Sequence, residues 1–199
     1  MNIEGINNTN SKDRDIVDLI WIPTGGGKTE AYLGLTGFTI FLRRLKAPKN
    51  GGGTAIIMRY TLRLLAAQQF VRASILICAC EKIRRESKKY NLGKDEISIG
   101  LWVGGTPTPN KNSEAKKLYK NLNDGSKKAT SANELEYIKV NNNKFQVLKC
   151  PWCGTKLEID YVDGKKKGLW GYEYDKKKII FCPDVRCDFS RKLPIQVVD

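Results

Sequence analysis

VDLIWIPTGGGKT, residues 17–29, is the stretch from which the rest of the fold is predicted. Residues 17–22 are mostly apolar and predict a buried strand, which Pro23 ends. The glycine triplet that follows lets backbone N–H groups turn around an anion, and a helix whose positive end faces that anion should begin directly after it. In phosphate-binding loops, a closing lysine reaches the β- and γ-phosphates and a threonine binds Mg²⁺. The predicted ATP- and Mg²⁺-binding residues are Thr24, Gly25, Gly26, Gly27, Lys28 and Thr29, of which Lys28 and Thr29 are also the predicted catalytic residues.

The loop departs from the strict phosphate-loop pattern at one position. Ile22 stands five residues before Gly27, where that pattern has a glycine. The sequence from Pro23 to Thr29 instead resembles motif I of superfamily 2 helicases and translocases, in which the first glycine is usually missing. The alternative is a glycine-rich turn that only happens to precede a lysine, and the apolar run before the loop argues against it.

Composition limits the possible functions. The 199 residues include 35 basic and 21 acidic side chains, and the formal net charge of +14 favours a polyanionic partner, nucleic acid first. The sequence has no histidine, which excludes Ser/His and Cys/His catalysis and any metal site that contains histidine. Charged residues interrupt every apolar run, and the first 15 residues lack the apolar centre of a signal peptide. We therefore expect a cytoplasmic location and no membrane partner.

Four further segments alternate between helix and strand. Residues 29–45 predict a helix that is apolar nearly all round, 54–60 a second buried strand, 61–89 a long helix and 97–103 a third strand. Strands that alternate with helices form parallel sheets with right-handed crossovers. The predicted fold class is α/β, a partial RecA-like phosphate-loop NTPase lobe with helices on both faces of a parallel sheet.

Two stretches after the loop resemble nucleic-acid-binding motifs of the same helicase superfamily. Arg63, Leu65 and Gln68 have the Arg-x-Leu-x-x-Gln spacing of motif Ia, whose polar groups touch the nucleic-acid backbone in that superfamily. Gly104 and Gly105 follow the third predicted strand and resemble the double-glycine motif, where a backbone can approach closely. The resemblance implies that Arg63, Gln68, Gly104 and Gly105 bind nucleic acid; the alternative for Arg63 is an ordinary solvated charge.

The long predicted helix carries an apolar stripe and two cysteines. Cys78 and Cys80 are two positions apart and point about 200° away from each other, so they cannot easily share a metal ion. We interpret both as small buried apolar side chains. The stripe, with spacings of three and four residues, consists of Leu64, Ala67, Val71, Ile75 and Cys78.

The other four cysteines predict a metal site. They form two knuckles, Cys150-Pro-Trp-Cys153 and Cys182-Pro-Asp-Val-Arg-Cys187, separated by a predicted β-hairpin. The turn of a knuckle brings two thiolates to one side, and Gly154 supplies its left-handed residue. Four thiolates suit tetrahedral Zn²⁺ in a structural site, with iron as the minor competitor, and a disulfide pair is disfavoured in the cytosol.

The segment between the knuckles has two interpretations. Trp170, Tyr172 and Tyr174 alternate and share one strand face, and lysine triplets at 165–167 and 176–178 flank them. Such rings could stack on bases, with the lysines binding phosphate. The simpler interpretation, which we prefer, is that the rings cover the small core of a zinc ribbon and the lysines are solvated.

These features predict an order of domains. Residues 1–15 are polar and predicted to be disordered, 16–110 form the RecA-like lobe, and 111–145 connect it to the next part. A zinc ribbon follows over 146–192, and 193–199 begin a returning strand.

Four phrases, WIPTGGGKTEAYLGL, MRYTLRLLAAQQFVRASILICACE, IGLWVGG and CPWCG, resemble in that order the helicase region of the helicase-like proteins in bacterial DISARM anti-phage systems. The resemblance covers residues 16–199. It implies a superfamily 2 DNA helicase or translocase that uses ATP, Mg²⁺ and Zn²⁺ and acts beside a partner protein of the same operon. A Walker B acid, a coupling motif and a second lobe with an arginine finger are not recognisable, and such a second lobe stabilises phosphoryl transfer. The resemblance therefore implies a piece of a longer enzyme that alone hydrolyses ATP poorly.

Two other functions remain open. One is a non-catalytic zinc-ribbon module that binds nucleic acid and keeps a relic phosphate loop, so that DNA binding survives replacement of Lys28 but not chelation. The other is a different phosphate-loop NTPase with a zinc insert, such as a signalling ATPase. The motif Ia spacing and the double glycine argue against that third function.

Overall fold

The computed structural model describes residues 3–19, 21, 23, 25–60, 63–102, 108–109, 111–157, 160–162, 165–167, 171–174 and 179–196. The chain divides into two compact units, which we call the first and the second unit. The first unit consists of Met1–Met58 and Ile83–Glu96, and the second of Arg59–Lys82 and Ile97–Asp199.

The helices follow the local sequence patterns closely. The structure has α1 (Ile3–Asn7), a 3₁₀ helix (Lys12–Asp15), α2 (Lys28–Lys46), α3 (Arg63–Glu86), α4 (Asn112–Lys128) and α5 (Ala132–Asn142). The helices predicted over 29–45 and 61–89 are thus confirmed as α2 and α3. α1 and the 3₁₀ helix lie in the segment for which the sequence predicts disorder; there, the Ser11 side chain accepts a hydrogen bond from the Asp13 N–H.

The strands are short and form three pairs. β1 (Ile99–Gly100) and β6 (Ile195–Gln196) are parallel, with Ile99 opposite Ile195. The other two pairs are antiparallel: β2 (Asp160–Val162) with β3 (Lys165–Lys167), and β4 (Tyr172–Glu173) with β5 (Ile179–Ile180). β6 lies within the returning strand predicted for 193–199.

The first two predicted strands are not formed by the residues that the structure describes. Val17, Leu19 and Trp21 are 92%, 91% and 90% exposed. In 54–60, no described residue pairs with a strand, and Ile57 is exposed. Strand composition alone does not form a strand, because a buried strand needs hydrogen-bonded neighbours and apolar layers on its faces. The parallel sheet is therefore confirmed only for β1 and β6, and the described residues do not form a complete RecA-like lobe.

The first unit is held together largely by arginine side chains. Arg43 donates hydrogen bonds to the carbonyl oxygens of Gly52 (2.6 Å) and Thr54 (2.9 Å), and Arg84 donates to that of Gly93 (2.9 Å). Buried Arg44 donates to the Glu96 carbonyl oxygen at 3.4 Å. Loops outside a sheet must satisfy their carbonyl groups elsewhere, and here guanidinium groups do so.

α2 is less buried than its composition predicts. Its buried residues are Thr36, Ile40 and Arg44, which stand four apart and form one narrow stripe. Tyr32 and Phe38 are exposed, so an apolar composition on nearly all sides of the helix does not lead to burial on all sides. A helix of the first unit with no sheet beside it buries only the side on which it has neighbours.

The buried face of α3 overlaps the predicted stripe at Cys78 but is rotated away from Val71 and Ile75, and the side chains of Leu64 and Ala67 lie outside the described part of the chain. Val71 and Ile75 are half-exposed, whereas Cys78 and Cys80 are both buried, as predicted. The apolar pattern misses this face because two polar side chains on it have partners: Ser74 Oγ donates to the Phe70 carbonyl (2.8 Å), and the Glu81 carboxylate accepts from the Ile97 N–H (2.9 Å). Among the described side chains, the buried residues of α3 are Phe70, Ala73, Ser74, Ile77, Cys78, Cys80 and Glu81.

The second unit has a continuous apolar core. α3 contributes Phe70 and Cys78, and the later segments contribute the rest. Those later residues include Ala115, Leu122, Leu135, Phe145, Val147, Leu157, Tyr172, Tyr174, Ile180, Phe189, Leu193 and Ile195. Three of the predicted metal-binding cysteines, Cys150, Cys182 and Cys187, lie in the same cluster. The cysteine site is therefore built on this core.

None of the helices in the described ranges is both long enough and apolar enough to cross a membrane.

Candidate functional site

The first knuckle is a tight turn that reverses the chain. An isolated antiparallel bridge between Lys149 and Lys156 closes it. Within it, the Cys150 N–H donates to the Thr155 carbonyl and the Gly154 N–H to the Cys150 carbonyl, both at 2.8 Å. Gly154 has a φ of 79°, a left-handed conformation that glycine adopts without strain. The turn leaves Cys150 and Cys153 on one side of the chain.

The second knuckle is stabilised by backbone hydrogen bonds that both of its cysteines donate. The Cys182 N–H donates to the Phe189 carbonyl, and the Cys187 N–H donates to the Asp184 carbonyl, both at 3.0 Å. Arg186 pairs with the Asp184 carboxylate at 3.3 Å on the exposed side of the turn. That carboxylate accepts hydrogen bonds from the Arg186 backbone and side chain, which lower the pKa of Asp184.

The structure brings all four predicted cysteine ligands together. Their sulfur atoms lie within 4.8 Å of one another. Cys150 Sγ and Cys187 Sγ are 3.9 Å apart, and Cys153 Sγ and Cys182 Sγ are 3.4 Å apart. In tetrahedral zinc sites with Zn–S bonds of about 2.3 Å, sulfur atoms are about 3.8 Å apart. All four cysteines are free thiols, so the geometry fits a Cys₄ metal centre.

The thiols differ in acidity. Burial raises the pKa of Cys150 to about 12 and raises that of Cys187 as well. Burial also acts on Cys153, but hydrogen bonds from Thr155, whose Oγ1 is 3.1 Å from Sγ, and from neighbouring thiols lower its pKa to about 7. Four adjacent thiolates repel one another, so a bound cation is needed to keep all of them deprotonated.

A polar cluster that the sequence did not predict connects the two knuckles to α3. Trp152 Nε1 donates to Asp188 Oδ2 at 2.9 Å, and Lys82 Nζ of α3 lies 3.0 Å from the same oxygen. The Lys82 ammonium also lies 5.8 Å from the centre of the Trp152 ring, and that ring packs edge-on against Phe189. Only the fold brings Lys82 near residues so distant in sequence, and no local pattern marks it.

The aromatic residues between the knuckles belong to the core. Tyr172 and Tyr174 are buried, and their rings pack against Phe145 at centroid distances of 4.6 and 5.5 Å. Burial raises the pKa of Tyr174 to about 12. The core interpretation is confirmed for these two tyrosines, and base stacking by them is wrong; Trp170 and residues 176–178 lie outside the described residues.

The phosphate loop has the backbone of a turn that leads into a helix. Gly25 and Gly27 have φ values of 86° and 79°, and Gly27 is the N-cap of α2. The Gly26 N–H donates to the Pro23 carbonyl at 3.0 Å, and Lys28 Nζ donates to the same oxygen at 3.3 Å. The three glycines are exposed, and Lys28 and Thr29 form the first turn of α2. The predicted helix after the loop is confirmed, and Thr24 lies outside the described residues.

The predicted nucleic-acid-binding residues are only partly described. Arg63 is the first residue of α3, and Gln68 lies exposed on the same helix five residues later. Gly104 and Gly105 lie outside the described residues. The phosphate loop belongs to the first unit, and Arg63 and Gln68 belong to the second.

Together, the fold and the site define a mixed helix-and-strand chain with a small parallel sheet and a four-cysteine cluster of metal-binding geometry. No protein-family model matches the chain. The chain is 40% identical to the DISARM protein DrmA of Bacillus paralicheniformis over 211 aligned positions. The alignment covers the whole chain and 17% of that DrmA protein. The resemblance predicted from the sequence is therefore confirmed, and the chain spans about a sixth of the relative's length.

Proposed function

We propose that the chain is part of an ATP-dependent superfamily 2 DNA helicase or translocase in a DISARM anti-phage defence system. The observation that carries the proposal is the exposed glycine loop at the N-terminus of α2. All of this chain aligns with a part of DrmA. An exposed turn of this kind offers backbone N–H groups and the positive end of a helix to an anion.

Each predicted site has a role in this proposal. Residues 24–27 surround the phosphates of ATP, Lys28 neutralises the β- and γ-phosphates, and Thr29 binds Mg²⁺. The four thiolates hold a structural Zn²⁺ that stabilises the ribbon and takes no part in the chemistry. The nucleic acid lies along Arg63, Gln68, Gly104 and Gly105, and a protein of the same operon acts beside the enzyme.

The experiment that tests nucleotide binding is titration calorimetry of the chain with ATP and Mg²⁺. The Lys28→Ala substitution removes the charge that we propose faces the terminal phosphates. We expect the affinity for ATP to fall at least about tenfold, which corresponds to about 1.4 kcal/mol of binding free energy. Lys49→Ala is the matched control, since Lys49 is an exposed lysine outside the loop. Equal affinities for the wild type and the Lys28 variant, or no ATP uptake by the wild type, contradict the proposal.

A second candidate is the zinc-ribbon module with a relic phosphate loop. The exposure of Val17, Leu19 and Trp21 favours it, because a working phosphate loop is normally anchored by a buried strand. This candidate requires DNA binding that is unchanged in the Lys28→Ala variant and lost on chelation. Filter binding of both proteins to DNA, with and without a chelator, tests this requirement, and the ATP titration separates the two candidates, because only the helicase binds ATP.

A further inference from the structure

Helix α4 has one buried face and one face that is rich in lysine. The buried side of the helix faces the core of the second unit and consists of Ala115, Leu122 and Ser126. At 100° per residue, the exposed lysines of the opposite side fall within about 120° of the helix circumference. These exposed lysines are Lys116, Lys117, Lys120 and Lys128, and we call them the lysine face.

The fold places a second run of lysines beside this helix. Strand β3 consists of Lys165–Lys167 and lies in contact with α4, although α5 and the first knuckle separate the two elements in sequence. Two basic segments that are distant in the chain therefore meet in the second unit. The positive charge of this part of the chain is therefore not confined to α4.

Helix α4 contains five lysines and two acidic residues, so its net charge is positive. Asp124 is the acidic residue of α4 that lies among the lysines, and Glu114 is exposed on the side of the helix next to them. On the neighbouring helix α5, the Glu134 carboxylate accepts hydrogen bonds from the Thr130 N–H (2.6 Å) and Oγ1 (2.9 Å) and so serves as a cap. The lysine face keeps a positive balance.

We propose that the lysine face of α4 binds the phosphodiester backbone of a nucleic acid. The proposal rests on the proposed function and adds a contact surface outside motif Ia and the double glycine. Lys116 and Lys120 are one helical turn apart, about 6 Å along the axis, so the face offers a row of point charges. Such lysines bind phosphates without reading the bases.

The surroundings of the lysine face favour nucleic acid over an acidic protein. The apolar residues of α4 are turned inward, and Tyr119 packs against Tyr174 at a centroid distance of 6.1 Å. A protein partner needs an apolar centre to its interface, and a base-stacking site needs exposed rings. A surface that carries lysines without exposed apolar residues is expected to bind a polyanion electrostatically, with an affinity that falls as salt increases.

The test compares two triple variants of the 199-residue chain by fluorescence anisotropy with a 20-base-pair DNA duplex at salt concentrations from 50 to 200 mM. The first variant is Lys116→Gln/Lys117→Gln/Lys120→Gln, and the control is Lys49→Gln/Lys88→Gln/Lys94→Gln, which removes the same charge from exposed lysines of the first unit. Each phosphate contact contributes about 0.9 to the slope of log K against log salt. We expect the first variant to reduce the slope by about 2 to 3 and the control to leave it unchanged.

A third variant, Asp124→Asn, tests the same surface by strengthening it. Loss of this carboxylate from among the lysines should raise the affinity for DNA several-fold, because it removes a negative charge from the surface that faces the phosphates. Equal slopes for the two triple variants, or no gain with Asp124→Asn, overturn the inference while the proposed function stands. Absence of DNA binding by the wild type, or tighter binding to anionic vesicles than to DNA, overturns both the inference and the nucleic-acid part of the proposed function.

Discussion

Tyr172 shows how a single side chain can fix the segment that leads into the four-cysteine cluster. Its hydroxyl donates to the Val147 carbonyl at 2.6 Å and accepts from the Val147 N–H at 3.2 Å. Val147 lies three residues before Cys150. The buried Tyr172 hydroxyl thereby satisfies both backbone hydrogen-bonding groups of Val147. The segment that leads into the first knuckle is thus held against β4 without a regular ladder.

Replacing Tyr172→Phe should lower the free energy of unfolding by about 1–3 kcal/mol, because it leaves the buried N–H and carbonyl of Val147 without their partner. Urea denaturation monitored by circular dichroism measures the change. Tyr137→Phe, at a tyrosine that is 66% exposed, should change stability by less than about 0.5 kcal/mol. Similar losses for the two variants would show that the Tyr172 hydroxyl contributes nothing specific.

At the scale of elements, the two knuckles form one site only when both are in place. Each supplies two of the four sulfur atoms, and each is internally hydrogen-bonded. The Lys82, Trp152 and Asp188 cluster then links both knuckles to α3. Stability of this part of the second unit should therefore depend on the metal.

Elemental analysis of the purified chain should find about one Zn²⁺ per molecule, and chelation should lower the melting temperature, since structural zinc supplies folding free energy directly. Cys150→Ser should lower the zinc content well below one. Cys80→Ala should retain full zinc, because Cys80 is a buried thiol of α3 outside the cluster. Full zinc content in the Cys150 variant would contradict the assignment of that ligand.

The elements also show which features a sequence can predict. α2 and α3 were predictable because the signals that begin and end a helix are local, and the four clustered cysteines were predictable because the spacing within each knuckle is local. The strands over 17–22 and 54–60 were not, since strand formation depends on partners that composition does not specify. The α3 buried face was missed for a related reason: Ser74 and Glu81 are buried only because the fold supplies their hydrogen-bond partners.

At the scale of the whole molecule, the apolar side chains are unevenly covered. The second unit has a continuous core, while Val17, Leu19 and Trp21 of the first unit are exposed. Exposed apolar residues contribute little to folding free energy, and fully buried ones contribute several kcal/mol.

Leu19→Ser should therefore change the free energy of unfolding by less than about 0.5 kcal/mol, whereas Leu193→Ala, at a leucine that is 0% exposed, should cost about 2–5 kcal/mol. Parallel urea titrations of the two variants and the wild type measure both values. A loss of several kcal/mol in the Leu19 variant would mean that residues 17–22 form the buried strand that their composition predicts.

The distance in sequence between the two knuckles has a consequence for biosynthesis. Cys153 and Cys182 are 29 residues apart, so at about 5–20 residues per second a ribosome adds the second knuckle roughly 1.5 to 6 seconds after the first. During that interval the nascent chain carries only two of the four clustered cysteines. The complete cluster, and the apolar packing around it, can form only once translation has passed Cys187.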